Sequence, residues 1–395
     1  MRVLLSTTVD WPSAARLAGA FAATGATVDA LYPRGHVMAQ SRYVGRKRHY
    51  HPLAPLASLA TALDACRPDL IVPCDDRAVS HLLAIHARGG VPAECIAWSL
   101  GNVASYPDLM SRDRFIAAAQ ALGIAAPEMH AVTSVGDLEQ RLDDVGFPAV
   151  LKLDGSWGGD GISVVHDREE ARAAFERLSR PRSRVRGLAR SVLRHDLHFL
   201  RDALYGVEKS VITVQRFVAG TPATSAFACR DGKVLAAVHV DVVETMRANG
   251  AASVVRRTES AAMDAIAATI ASRFGLSGLQ GLDYMRDTSG NVHLIEMNPR
   301  ATQICALSLG RRADLAAALT GGPARPALRA AADTVALFPQ EWRRDPASPW
   351  LRSAYLDAPW DDPAVLRALL VPGETPPFPA AVQDPALTVQ QAARH

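Results

Sequence analysis

The chain has 395 residues, 49% of them hydrophobic and 21% charged, with a formal net charge of +3. That length exceeds the roughly 250–300 residues at which a single core stops growing, so two or three domains are expected. The small charge, with no nucleic-acid motif beside it, excludes a basic footprint for duplex nucleic acid spread over the whole chain.

Residues 2–9 read as a buried strand, 12–24 as an alanine-rich helix and 26–32 as a second strand following the helix stop at Gly25. SRYVGRKRHYHP then reads as a polar connection. Residues 56–66 read as a helix, DLIVPCDD as a further strand and AVSHLLAIHARGG as the next helix. Strands alternating with helices predict a doubly wound parallel sheet over residues 1–105, with ligands at the carboxyl ends of its strands. Asp75 and Asp76 lie at such an end, as caps of the following helix or as substrate contacts.

From residue 106 the pattern changes. SRDRFIAAAQALGI is a helix, and GFPAVLKLDGSWGGDGISVV reads as strand, glycine-rich loop and antiparallel strand. Residues 106–216 and 217–320 are expected as two α+β lobes, the second carrying the helix 260–274 and the segment GLQGLDYMRDTSGNVHLIEMNPR. Residues 321–395 hold three of the six tryptophans and read as an extension packed on the body, fraying after about Pro372. Residues 180–201 hold seven arginines against a single acid, Asp196, while Leu188, Val192, Leu193, Leu197, Leu200 and Leu204 recur at near-helical spacing. This is an amphipathic helix with a solvated basic face, or a surface turned to an anion or a partner.

The five cysteines (Cys66, Cys74, Cys95, Cys229, Cys305) are scattered and form no CxxC pair, so a reducing, cytoplasmic setting is expected. No apolar run approaches about 18 residues, so neither a signal peptide nor a membrane span is expected.

The strongest chemical signal lies in 279–300. Glu296 and Asn298, two apart in a strand, project to one face. If TSGN is the hairpin loop and Asp287 pairs with Val292, Asp283 falls opposite Glu296. Two carboxylates and an amide oxygen suit a magnesium or manganese ion beside a nucleotide. Arg300 follows at the strand end, placed to reach a phosphate. The second signal is Lys152, one of only four lysines, in an apolar strand before the glycine-rich loop. Backbone N–H groups of such a loop approach phosphate oxygens closely, although a hairpin with a snorkelling lysine reads similarly. No serine–histidine or cysteine–histidine arrangement is evident.

DRF in a helix (113–115), VLK before a glycine-rich loop, VQRFVAG and GLDY…LIEMNPR together resemble the ATP-grasp superfamily over about residues 1–320. They are similar to the nucleotide-binding units of carbamoyl phosphate synthetases and of single-unit carboxylate–amine ligases. The resemblance implies a two-lobed grasp after an α/β domain. It implies that Arg114 and Lys152 contact ATP phosphates, and that Ser156, Gly158, Gly159 and Gly161 belong to a loop over them. Gln215, Arg216, Phe217 and Val218 would form the adenine hinge, Asp283, Glu296 and Asn298 would hold magnesium, and Arg300 would lie near the γ-phosphate. Glu244, Arg256 and Arg257 lie where relatives recognise the acceptor. The chain departs from many relatives at Gln215 and Pro222, where they carry acidic residues, and has Trp157 inside the glycine loop, for packing or for stacking. The implied activity is an ADP-forming ligase that joins a small-molecule carboxylate to an amine through an acyl phosphate. A bicarbonate-using carboxy-phosphate enzyme and a non-catalytic ATP-binding regulatory module are the alternatives. Neither nucleic acid nor membrane is an expected partner, and a homodimer is left open.

Overall fold

The computed structural model describes residues 1–154, 161–180, 211–248, 250–309, 314–326 and 333–370. Strands β1 (Arg2–Ser6), β2 (Thr27–Pro33), β3 (Val44–Tyr50) and β4 (Leu70–Pro73) form a parallel sheet in the order β3-β2-β1-β4. The sheet winds outward from β1 in both directions, as the alternation of strands and helices predicts. Val3 and Leu5 pack with the helix Ser13–Ala22, while Leu4 and Ile71 pack with Pro55–Cys66. Burial on both faces is why these strands read as continuous apolar runs. β3 lies within the stretch expected to be a polar connection. It is an edge strand whose five central residues are exposed, and its Arg46, Lys47 and Arg48 are the charges that protect such edges.

A second, antiparallel sheet contains β5 (Met129–Val132), β6 (Ala149–Leu153), β7 (Ile162–Val165) and β8 (Ile212–Arg216) in the order β5-β8-β6-β7. With the helices Val135–Val145 and Arg168–Ser179 it encloses its own apolar core, including Leu138, Leu151 and Val214.

The third sheet has seven strands: β9 (Thr221–Arg230), β10 (Lys233–Thr245), β11 (Ala252–Arg257), β12 (Gly278–Arg286), β13 (Val292–Asn298), β14 (Thr334–Leu337) and β15 (Tyr355–Asp357). Their order is β13-β12-β9-β10-β11-β14-β15, so two strands of the expected extension complete the sheet beyond β11. Two apolar clusters run without interruption from the parallel sheet into this one. Their junction is tight. Gly101 (φ +83°) bridges Leu276, and a Cβ there would stand 2.2 Å from the Gly275 carbonyl oxygen, so only glycine fits.

In the β12–β13 hairpin Asp283 pairs with Glu296 and Gly281 with Asn298. Nearer the turn the register differs from expectation, with Arg286 rather than Asp287 opposite Val292. A bulge between the Asp283 and Tyr284 pairs absorbs the one-residue difference. Among the described residues no helix is long and apolar enough to cross a membrane.

Candidate active site

Asp283 and Glu296 face each other because the hairpin register puts them on adjacent strands at one level. Asn298 Nδ2 donates to Asp283 Oδ2 at 2.8 Å, and Asn298 Oδ1 accepts from Arg300 Nη2 at 2.9 Å. Arg300 Nε donates to Asp76 Oδ1 at 2.8 Å. The strand end is thereby fastened to the helix Asp76–His86 of the parallel unit. Asp75 is the cap of that helix: it accepts from Ala78 N and from both threonine hydroxyls of Thr7 and Thr8. Of the two acids, then, Asp75 caps and Asp76 orients Arg300.

Lys152 enters from β6 and is buried. Burial pushes its ammonium down to about 8, against the pull of Glu296 and Asp283 and with the push of Arg112. Burial and the neighbouring Glu296 raise the Asp283 carboxyl, against hydrogen bonds from Thr224 and Asn298. For Glu296 burial acts upward too, but Arg112 and Lys152 outweigh it and hold the group below the usual carboxylate range.

Arg112 was not singled out by the sequence, and it is the residue that joins these groups. Its Nη2 donates to Glu296 Oε1 at 2.9 Å, and its Nη1 donates at 2.9 Å to both the Leu153 carbonyl and Asp154 Oδ1. Burial opposes its charge, yet Glu296 and Asp154 raise its pKa above the usual arginine value. Arg114, expected at the phosphates, instead lies exposed against Asp108 at 3.2 Å. The two arginines are two apart on the helix Arg112–Ala121, and such positions do not share a face.

The remaining expected residues divide. Gly161 is described, and its carbonyl accepts from Leu153 N, closing the β6–β7 hairpin. Ser156, Trp157, Gly158 and Gly159 lie outside the described residues, as does the arginine-rich segment from 181 onward. Gln215 is buried on β8 and shares the Lys152 face of the small sheet, since Gln215 pairs with Val150 and Thr213 with Lys152. Gln215 Nε2 and Thr213 Oγ1 are both buried without a hydrogen-bond partner among the described residues. Arg216 turns outward to Glu128 Oε2 at 3.0 Å and the Asp144 carbonyl at 2.7 Å. Phe217 N donates to the Pro148 carbonyl, and Val218 is half-buried. The expected acceptor residues are engaged elsewhere: Glu244 with Arg344 at 3.8 Å, Arg256 with Thr334 Oγ1 at 3.4 Å, and Arg257 with Glu259 at 2.8 Å.

A serine–histidine–aspartate chain is present after all. His239 Nδ1 meets Ser225 Oγ at 2.6 Å and its Nε2 meets Asp264 Oδ1 at 2.9 Å. Ser225 is fully buried and pairs with Leu282, a neighbour of Asp283 that points to the opposite sheet face. This chain of hydrogen bonds fastens the helix Ala261–Phe274 to the sheet.

The residues fit a nucleotide and a divalent cation. Asp283, Glu296 and Asn298 supply hard oxygen donors, and a cation beside them offsets the repulsion that raises Asp283. The orphaned Gln215 amide and Thr213 hydroxyl are polar partners still to be satisfied on the face that carries Lys152.

Residues 138–303 match the family model of the ATP-grasp domain. The carbamoyl phosphate synthase large chain of Rubrobacter xylanophilus is 26% identical over 257 residues, which is 61% of this chain and 22% of that one. That of Vibrio cholerae is 32% identical over 107 residues, 26% of this chain and 10% of that one. The chain therefore spans at most about a fifth of the length of these relatives. Among solved structures, N5-carboxyaminoimidazole synthetase from Staphylococcus aureus complexed with ADP superposes with a TM-score of 0.58 at 10% identity, covering 82% of this chain and 78% of that one. The biotin carboxylase domain of Hydrogenobacter thermophilus 2-oxoglutarate carboxylase, in complex with MgADP, ADP and bicarbonate, gives 0.56 at 14% identity, covering 82% and 71%. The family match is thus to an ATP-grasp domain over residues 138–303, and the solved structures share the fold of the larger part of the chain.

Proposed function

We propose that the chain is an ATP-dependent, ADP-forming ligase that joins a small carboxylate to an amine. Residues 1–105 precede the grasp, 106–216 and 217–320 are its lobes, and 321–395 extend it. The observation that carries this reading is the facing pair Asp283 and Glu296, with Asn298 beside them and Arg112, Lys152 and Arg300 around them. A carboxylate is a poor electrophile because oxide is a poor leaving group. Its oxygen attacks the γ-phosphorus, the bond to the β–γ bridging oxygen breaks, and ADP departs. The amine then forms the C–N bond, phosphate leaves, and the amine loses its proton to solvent.

Lys152 and Arg300 neutralise and orient the transferred group, and such positioning is the main work in phosphoryl transfer. Gln215 offers its amide and Thr213 its hydroxyl to the nucleotide. Asp283, Glu296 and Asn298 would hold magnesium or manganese, which when bound screens the charge of the phosphates. Arg112 keeps Glu296 ionised and fixes its orientation.

The test is an ADP-release screen of carboxylic acids with ATP, magnesium and hydroxylamine, which traps an acyl phosphate as a hydroxamate. At least one acid should give hydroxamate and ADP in equal amounts. AMP as product would replace phosphoryl transfer by adenylation, and no stimulation by any acid despite tight ATP binding would favour a non-catalytic module. One structural neighbour holds bicarbonate. If bicarbonate alone drives ADP release, the carboxy-phosphate reading takes precedence.

A further inference from the structure

Strand β5 is an edge of the four-stranded sheet, and its register turns His130, opposite Val214, to the face away from Gln215 and Lys152. On that face the start of β5 meets the last turn of the helix Val135–Val145. There Glu128, His130 and Asp144 converge, one donor atom of each lying within 4.8 Å of the others. Glu128 and His130 are half-buried and Asp144 is exposed, so the group opens to solvent on the Asp144 side. None of the three belongs to the cluster around Asp283 and Glu296.

Arg216 sets the spacing of this group. Its Nη2 donates to Glu128 Oε2 at 3.0 Å and to the Asp144 carbonyl at 2.7 Å, while its backbone N donates to the Glu128 carbonyl at 2.9 Å. The other carboxylate oxygen, Glu128 Oε1, is left facing His130 Nε2 at 3.0 Å. A carboxylate only accepts, so Nε2 carries the proton of that contact, a tautomer assigned from the hydrogen bond. A carboxylate fixed by an arginine on one oxygen and free to ligate with the other has the outer support that metal-binding carboxylates use. The Asp144 carboxylate approaches Arg141 only at 4.0 Å and can turn inward. The end of an 11-residue helix adds partial negative charge, which favours a cation.

We propose that Glu128 Oε1, His130 Nε2 and an Asp144 oxygen bind one transition-metal dication of the zinc type, with water in the fourth position. Zinc takes imidazole and carboxylate donors together at about 2.0–2.2 Å, so a tetrahedral ion draws the three atoms to about 3.3–3.6 Å from one another, and the exposed Asp144 side chain supplies most of that movement. The ion replaces the proton on His130 Nε2, which passes to solvent. An imidazole in the donor set separates this position from magnesium and calcium, which prefer oxygen throughout. Arg216 keeps Glu128 Oε2, and its like charge moderates the affinity. The bound ion ties the start of β5 to the helix end beside Phe217 and Val218, which lead from β8 towards β9.

Calorimetric titration of the full chain with zinc chloride in a magnesium-containing buffer tests this without ATP, and cobalt in place of zinc reports nitrogen ligation through its visible absorption. One equivalent of zinc should bind at submillimolar concentration. His130→Ala and Asp144→Asn should each lower the affinity for that equivalent at least about tenfold, the low end of what a disturbed metal shell costs. Asp144 is exposed, so Asp144→Asn should melt with the parent when metal-free, and zinc should raise the melting temperature of the parent alone. Glu296→Gln should leave this equivalent in place. Absence of zinc binding, unchanged affinity in both His130→Ala and Asp144→Asn, or loss of the equivalent only in Glu296→Gln overturns the proposal. The outcome is separable from the ligase reading: hydroxamate formation without zinc binding overturns only this site, and zinc binding here in a chain that activates no acid leaves it standing.

Discussion

Arg112 Nη2 donates to Glu296 Oε1 at 2.9 Å while Nη1 of the same guanidinium holds the Leu153 carbonyl and Asp154. One side chain thus ties β13 of the seven-stranded sheet to the end of β6 in a sheet with a separate core. Removing it leaves Glu296 buried without its arginine, which costs about 3 kcal/mol or more of stability. Arg112→Ala should lower turnover at least about a hundredfold, the effect of losing a preorganised charge. Arg114→Ala should be nearly silent. Equal effects of the two variants on turnover would reverse the assignment.

Lys152 yields a pH prediction. Its folded pKa of about 8 lies below the unfolded value, so between about 8 and about 10.4 the unfolded chain binds more protons. Stability therefore rises with pH across that window, and the full cost of the buried charge is present below it. Lys152→Met should melt no lower than the parent at pH 7, with any gain vanishing near pH 10. ATP binding should weaken by about 1.5–3 kcal/mol at pH 7, the usual worth of a hydrogen bond to a charged group. ATP affinity of the parent should itself decline as pH rises through about 8. Flat affinity from pH 7 to 9.5 by calorimetry would remove Lys152 from the phosphates.

Glu296→Gln should weaken manganese binding, followed by electron paramagnetic resonance in the presence of ADP, at least about tenfold and abolish metal-dependent turnover. Asn298→Ala should act in the same direction and more mildly, since it removes one neutral donor and frees Asp283 of a hydrogen bond. Wild-type manganese affinity in Glu296→Gln would place the metal elsewhere.

Gly281 sits opposite Asn298, and a Cβ there would stand 2.4 Å from Thr302 Cγ2 and 3.3 Å from Asn298 Cβ. Gly281→Ala should cost about 1–3 kcal/mol through overpacking and lower turnover by displacing the amide. Thr302→Ser removes the clashing methyl while keeping the hydroxyl, so the double variant should recover much of both losses. Additive losses in thermal melts would show that the crowding is not at Thr302.

The Asp283–Glu296 pair was legible because a hairpin has a two-residue period and TSGN supplies a turn. The register near that turn is off by one, since nothing in VHLIEMN marks a bulge. Arg112 was not legible: DRF drew attention to Arg114, and which arginine of SRDR turns inward depends on how its helix packs. β3 was missed because an exposed edge strand needs no apolar alternation, and β14 and β15 because strands of four and three residues leave little pattern. Gln215 was visible only through the resemblance, and Thr213 not at all, since an orphaned hydroxyl is a property of packing.

β14 has a further consequence. It pairs with β11 through Val254, Val255 and Arg256, the two valines being fully buried. A chain cut after residue 320 would keep every residue assigned to nucleotide and metal, yet it would bare a row of unpaired backbone N–H and C=O groups along an apolar strand. Such an edge recruits another strand, so the truncated protein should self-associate, and a minimal grasp should be designed with its last two strands or with charges placed along β11.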